Sequence, residues 1–255
     1  MFLSLVSGSS GNCSLISDGK THLLADCGLS CKNLETALAK VDLRPSDISG
    51  ILVTHEHSDH IRGINTVSRK YNIPVYATLK THEAIHAGTV RDVRYLSPDV
   101  DFEIGTIGIK PFSIPHDAAD PVGYNFFFGV KKLSLATDIG KMNDYVTEHL
   151  KGSIAVLLES NHDLKMLMSG HYPAYLKRRI AGKYGHLSNT DAAHTALELI
   201  KSGTCHIMLG HLSDKNNTPN TAYLETAGFL EANGVKIGKD AGLSVAARYE
   251  VSCFR

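Results

Sequence analysis

The stretch Thr54-His55-Glu56-His57-Ser58-Asp59-His60, directly after the apolar run Gly50-Ile51-Leu52-Val53, places His55, His57, Asp59 and His60 within a few residues of one another. Imidazole nitrogens and carboxylates are ligands for first-row divalent ions. At the end of a strand this spacing lets the side chains fan into two adjacent sites, so the pattern predicts two metal ions. A merely polar surface loop gives no reason for an H-x-H-x-D-H order beside a buried strand.

Four side chains cannot complete two coordination spheres, and further ligands must come from elsewhere in the chain. Three segments share the same context of an apolar run ending in His or Asp: Ile107 to His116, Leu133 to Asp138, and Cys205 to His211. Leu23-Leu24-Ala25-Asp26 has the same form. Strand ends gathered on one edge of a sheet are where α/β proteins build sites.

This order resembles the metallo-β-lactamase superfamily, whose motifs run Asp, H-x-H-x-D-H, His, Asp, His; here they are Asp26, His55 to His60, His116, Asp138 and His211. The resemblance implies an α/β fold, a four-layer αβ/βα sandwich of two face-to-face β-sheets with helices outside. It also implies a dinuclear centre, with His55, His57 and His116 on one metal, Asp59, His60 and His211 on the other, and Asp138 bridging. Asp26 would act from behind the ligands by hydrogen-bonding the H-x-H-x-D-H loop. The cofactors are then two divalent ions, zinc for a histidine-rich site, with manganese or iron as alternatives because ligand type does not settle metal identity.

Composition suits one soluble domain over residues 1–255. Hydrophobic residues make up 43% and charged residues 20% of the chain, so no disordered region is required. The 26 basic residues balance the 26 acidic ones, so any basic surface for nucleic acid must be local. No apolar run approaches the roughly 20 residues of a membrane span, and Met1 to Val6 lacks the charged start of a signal peptide. No membrane partner and a cytoplasmic location are expected. The five scattered cysteines do not form a disulfide framework and are expected to be mostly small buried hydrophobes. Oligomeric state carries no signature.

Strands are predicted near residues 2–6, 12–17 and 21–25, with Asp18-Gly19 turning between the last two. Leu34, Leu38 and Val41 mark a helical stripe. A strand at 50–54, a helix over 60–71 and a strand at 74–77 follow. The second half reads as a hairpin of 124–130 and 132–137, a strand at 154–158, helices stopped by Gly203 and Gly234, and a closing strand over 243–251. His82 and His86, spaced i, i+4, are read as an exposed helix face. Gly8-Ser9-Ser10-Gly11 either offers backbone N–H groups to a phosphate or forms a plain turn.

Two segments carry the reading toward a reaction. Glu159 follows an apolar strand, and Gly185-His186-Leu187-Ser188 precedes a helix capped by Ser188 or Asn189. They resemble the acid and histidine of the superfamily's nucleases, in which the histidine protonates or stabilises the leaving oxygen and the acid orients it. The resemblance thus implies catalytic roles for Glu159 and His186, with Asp59 orienting or deprotonating water. Between Leu164 and His186 lie Lys165, Lys177, Arg178, Arg179 and Lys183 with no acidic residue; Lys177, Arg178, Arg179 and the helix start at Ser188 are the candidate phosphate contacts. The start Val6 to Asn12, His116 to Tyr124, Glu159 to His162 and Gly185 to Asn189 are most similar to the YycJ/WalJ group of bacterial exonucleases. That similarity implies 5′→3′ hydrolysis of DNA in repair. A small-molecule or cyclic phosphodiesterase shares the dinuclear site and is the alternative; a non-catalytic adaptor would show degraded ligands, whereas all seven are intact.

Overall fold

Turn chemistry and burial organise the first sheet. In the computed structural model, which describes residues 1–85, 90 and 92–254, β1 (Phe2–Val6), β2 (Cys13–Ser17) and β3 (His22–Ala25) run antiparallel. Gly19 takes φ +91° in the turn between β2 and β3, a conformation open to glycine at little cost. There follow α1 (Cys31–Ala39), β4 (Gly50–Leu52), α2 (Ser58–Ile61), α3 (Ile64–Tyr71), β5 (Val75–Ala77), α4 (Leu79–Ala84) and β6 (Val93–Tyr95). Strands β4 to β6 extend β3 in parallel. Ser30 caps α1 by accepting from the Asn33 amide, and Leu34 and Leu38, one helical turn apart, are buried in the core with Leu5, Leu24 and Ile51.

Next come β7 (Phe102–Ile104), β8 (Ile107–Ser113) and β9 (Val122–Phe128), antiparallel, then β10 (Lys131–Ala136), α5 (Asp144–Leu150), β11 (Ala155–Glu159), α6 (Leu164–Ser169), α7 (Ala174–Ile180), α8 (Asn189–Lys201), β12 (His206–Gly210), α9 (Pro219–Ala232), β13 (Gly242–Val245) and β14 (Ser252–Cys253). The two seven-stranded sheets run β14-β1-β2-β3-β4-β5-β6 and β13-β12-β11-β10-β9-β8-β7. Every residue of β11 and β12 is buried, as the near-continuous apolar runs of parallel strands require.

Two compact units divide the chain, one of residues 1–113, 118–129 and 247–253, the other of 114–117, 130–246 and 254–255. Within the first, β7 to β9 pack against the first sheet: Phe2 meets Phe126 edge to face at 6.4 Å, and Tyr76 stacks on Phe102 at 5.7 Å. Within the second, α5, α8 and α9 accompany the parallel strands. Among the described residues no helix is long and apolar enough to cross a membrane. Of the cysteines only Cys13 and Cys27 are buried; Cys205 and Cys253 are exposed, against the expectation for most of them.

Two predicted elements are broken in the structure. The expected helix over 60–71 is two helices, because Gly63 sits so close to its neighbours that an added Cβ would lie 2.0 Å from the Leu29 carbonyl and 2.9 Å from Cys27 Sγ. Its amide leaves the helical ladder to bond the Cys27 carbonyl. The expected closing strand is split between sheets, β13 pairing with β12 and β14 with β1. His86 lies outside the described residues. Gly63→Ala should lower the unfolding free energy by about 1–3 kcal/mol, the usual cost of overpacking, measured by urea denaturation; a neutral result would contradict the packing at this break.

Candidate metal centre

In the first unit the ligand-bearing loop is tied to one buried carboxylate. Asp26, just past β3, takes a left-handed φ of 61° that aspartate tolerates better than most residues. Its carboxylate accepts from the Thr54 amide at 2.8 Å and the Thr54 hydroxyl at 2.9 Å, and lies 2.8 Å from His60 Nδ1. A carboxylate on Nδ1 fixes the ring and makes Nε2 the ligating atom. His60 Nε2 is 3.4 Å from Asp59 Oδ2, and Asn12 Nδ2 donates to that same oxygen at 3.1 Å. The His55 ring centroid lies 4.1 Å from that of His60 and 4.6 Å from that of His57. His57 is the residue before α2, so His55 leaves on the extended segment while Asp59 and His60 project from the helix.

The Gly8 to Asn12 turn packs beneath α2. The Asn12 amide bonds the Asp59 carbonyl, and a Cβ on Gly28 would lie 1.7 Å from that carbonyl. Gly8 N donates to Asn12 Oδ1 and Gly11 N to the Gly8 carbonyl, so these two amides close the turn itself and are not offered to a phosphate.

The second unit uses Glu159 in the same way. One oxygen, Oε2, accepts from the Ile139 and Leu187 amides; Oε1 is 2.8 Å from His186 Nδ1 and 2.9 Å from His211 Nδ1. The carboxylate therefore orients two histidines, not one. Burial raises its pKa, but the charge of His186 and the hydrogen bonds from His186 and His211 outweigh burial and hold it below the ordinary carboxylate range. Asp138 and His211 both occupy left-handed backbone, at φ 60° and 56°, strain that persists only where surroundings impose it. Asn161 Nδ2 donates to the His211 carbonyl at 2.9 Å. Asp138 Oδ1 is 3.4 Å from His211 Nδ1 and 3.8 Å from His116 Nε2, while His116 Nδ1 is held by the Gly185 carbonyl at 3.0 Å. Burial pushes the His116 imidazole below its ordinary pKa despite Asp138, which favours the neutral ring a metal needs.

The donor chemistry fits divalent ions. His60, His116 and His211 have Nδ1 fixed by protein acceptors, and Asp138, Glu159, His186 and His211 offer ligand atoms within 4.8 Å of one another. His186 differs from the other histidines of this unit's cluster in keeping 20% of its side chain exposed. Its glycine neighbour is obligatory: a Cβ on Gly185 would lie 2.2 Å from the Arg179 and Ile180 carbonyls.

The candidate phosphate contacts look different. Arg179, though exposed, pairs with Asp117 at 2.5 Å, and Lys177 Nζ donates to the Met168 carbonyl, while Arg178 is exposed beside them. Ser188 is buried and caps α8 by accepting from the Asp191 amide, a helix-start role rather than a surface contact. Residues that the sequence reading left out are Thr54, whose hydroxyl touches Asp26, His55 and His60, and Asn161. Their signal lay beside the motifs themselves, at Thr54-His55 and Glu159-Ser160-Asn161.

The beta-lactamase superfamily domain matches residues 21–208. The chain belongs to the metallo-β-lactamase superfamily and is a metal-dependent hydrolase of that fold. It is 41% identical to Exodeoxyribonuclease YycJ of Bacillus anthracis, over 93% of this chain and 92% of that protein. It is 37% identical to Exodeoxyribonuclease WalJ of Streptococcus pneumoniae, over 92% and 90%. The fold is also that of the metallo-beta-lactamase fold protein YhfI of Bacillus subtilis, with TM-score 0.72 at 15% identity over 98% of both chains.

Asp26→Ala should weaken metal retention about 10–100-fold, the usual worth of an outer carboxylate, read by metal content after dialysis against a graded chelator. Retention equal to wild type would remove Asp26 from the centre.

Proposed function

We propose that the protein is a two-metal phosphodiester hydrolase acting on nucleic acid, DNA first, as a cytoplasmic 5′→3′ exonuclease of DNA repair, with residues 1–255 forming one domain. The exodeoxyribonuclease names of YycJ and WalJ support the substrate class. The observation that carries the reaction type is the Glu159–His186 pair at 2.8 Å with 20% of the His186 side chain open to solvent. By the order of the family's motifs, His55, His57 and His116 would hold one ion and Asp59, His60 and His211 the other, with Asp138 serving both. Zinc suits this donor set, with manganese or iron as alternatives. Two divalent ions, when bound, supply Lewis acidity to the phosphoryl oxygens and make water acidic.

The remaining steps belong to the side chains. Asp59, its rotamer held by Asn12 Nδ2, orients the attacking water and accepts its proton. His186 keeps Nδ1–H on Glu159 and gives a proton from Nε2 to the leaving oxygen. Arg178 of the basic insert neutralises a backbone phosphate, Arg179 and Lys177 brace the insert through Asp117 and Met168, and Ser188 fixes the helix start that follows His186.

The direct test incubates metal-loaded protein with end-labelled single- and double-stranded DNA, RNA and bis-nitrophenyl phosphate. Stepwise shortening of DNA from the 5′ end is expected; hydrolysis of the small ester alone would assign a small-molecule phosphodiesterase instead. His186→Ala should keep its metal yet lose about 10²–10⁴-fold on DNA, with a much smaller loss on the nitrophenyl ester, whose leaving group needs little protonation. If that variant loses metal, His186 is a ligand. Arg178→Ala should flatten the salt dependence of DNA affinity by about 0.7–0.9 in log–log slope; an unaltered slope would mean the insert does not meet phosphate.

A further inference from the structure

Beside the loop that carries Asp59, the first unit holds a cleft of about 240 Å³ lined by Arg62, Arg248, Tyr249, Ser10, Ser30 and Asn33, with Gly11 and Gly28 among its other walls. Gly28 is the glycine pressed against the Asp59 carbonyl. Arg62 follows α2 and stands three residues from Asp59, about 4.5 Å along a helix axis, with one nitrogen braced on the Ser10 carbonyl at 3.1 Å. Two guanidiniums line the cleft, and among the described residues no carboxylate does. Guanidinium pairs beside hydroxyls are suited to phosphate oxygens.

A second cleft of about 220 Å³ shares Val6, Leu29, Asn33 and Tyr249 with the first and adds Leu5, Ala37 and Val251. It is mainly apolar, and Tyr249 is 71% exposed at both. An exposed aromatic ring next to cations is the arrangement on which unpaired bases stack.

We propose that the two clefts form a nucleotide subsite for a single strand, the phosphate between Arg62 and Arg248 and the base on Tyr249. The proposal rests on the nuclease reading and extends it to how the strand is held. The phosphate is either the 5′-terminal group or an internal one of the backbone, and both present the same oxygens to the arginines.

The test measures kcat and KM of the metal-loaded enzyme on 5′-phosphorylated and 5′-hydroxyl single-stranded DNA at several salt concentrations, and on bis-nitrophenyl phosphate. The Arg62→Gln/Arg248→Gln double variant should raise the DNA KM about 10-fold or more, a loss at least ten times that on the small ester. Its salt slope should fall by about 0.7 for each arginine. Tyr249→Ala should raise the DNA KM about 5-fold or more, as loss of one stacked base does, and Tyr249→Phe should restore it. A loss confined to 5′-phosphorylated DNA assigns the terminal phosphate; equal losses assign an internal one. Each single arginine variant and the Tyr249 pair keep the test open if the double variant loses metal or helical circular dichroism. Unchanged KM and salt slope, or equal loss on DNA and the small ester, would overturn the subsite while leaving the nuclease reading standing. A wild-type enzyme that cleaves no polynucleotide would overturn both.

Discussion

A carboxylate sealed inside a protein must have its oxygens satisfied, because an unpaired buried charge costs several kcal/mol. Asp26 and Glu159 meet that demand, each at a strand end and each within its own unit. Asp26 is satisfied by Thr54 and His60, Glu159 by two backbone amides and two imidazoles. The donors that quiet these charges are the groups whose positions matter for chemistry. Saturating the acid and aiming the histidines are one event.

The surrounding fold is arranged to deliver those donors. Asp26, Asp138 and His211 turn the chain through left-handed backbone within two residues of the ends of β3, β10 and β12, strain of about 1–3 kcal/mol each that packing must offset. Gly28, Gly140 and Gly185 let neighbouring backbone approach closer than a Cβ allows; on Gly140 it would strike the Lys183 carbonyl at 2.2 Å. A buried amide network of Asn161, Asn189 and Asn217 ties the segment after β11 to the start of α8 and to the segment between β12 and α9.

Much of the frame was legible because apolar runs and the residues that end them are local signals. The strands that lead to His55 and Asp138 and the cap at Ser188 follow from patterning within a few residues. The break at Gly63 was not legible, since it depends on contact with Leu29 and Cys27 more than 30 residues earlier. Nor was the division of the closing strand between β13 and β14, which only sheet partners decide. At the site, residue types announced the ligands but not the wiring. Glu159 was expected to hold His186 and holds His211 as well; Arg179 was expected to meet phosphate and is tied to Asp117. Partner choice among like groups is a three-dimensional fact, and spacing along the chain does not encode it.

The central claim is that one carboxylate, Glu159, serves both the proton donor His186 and the ligand-bearing residue His211. A double-mutant cycle of Glu159→Gln and His186→Ala, with DNA cleavage rate and metal content read on the same samples, tests it most directly. The account predicts that Glu159→Gln adds little further rate loss once His186 is gone at equal metal occupancy, and that it weakens metal retention in either background. Fully additive rate losses with metal retention unchanged would contradict it.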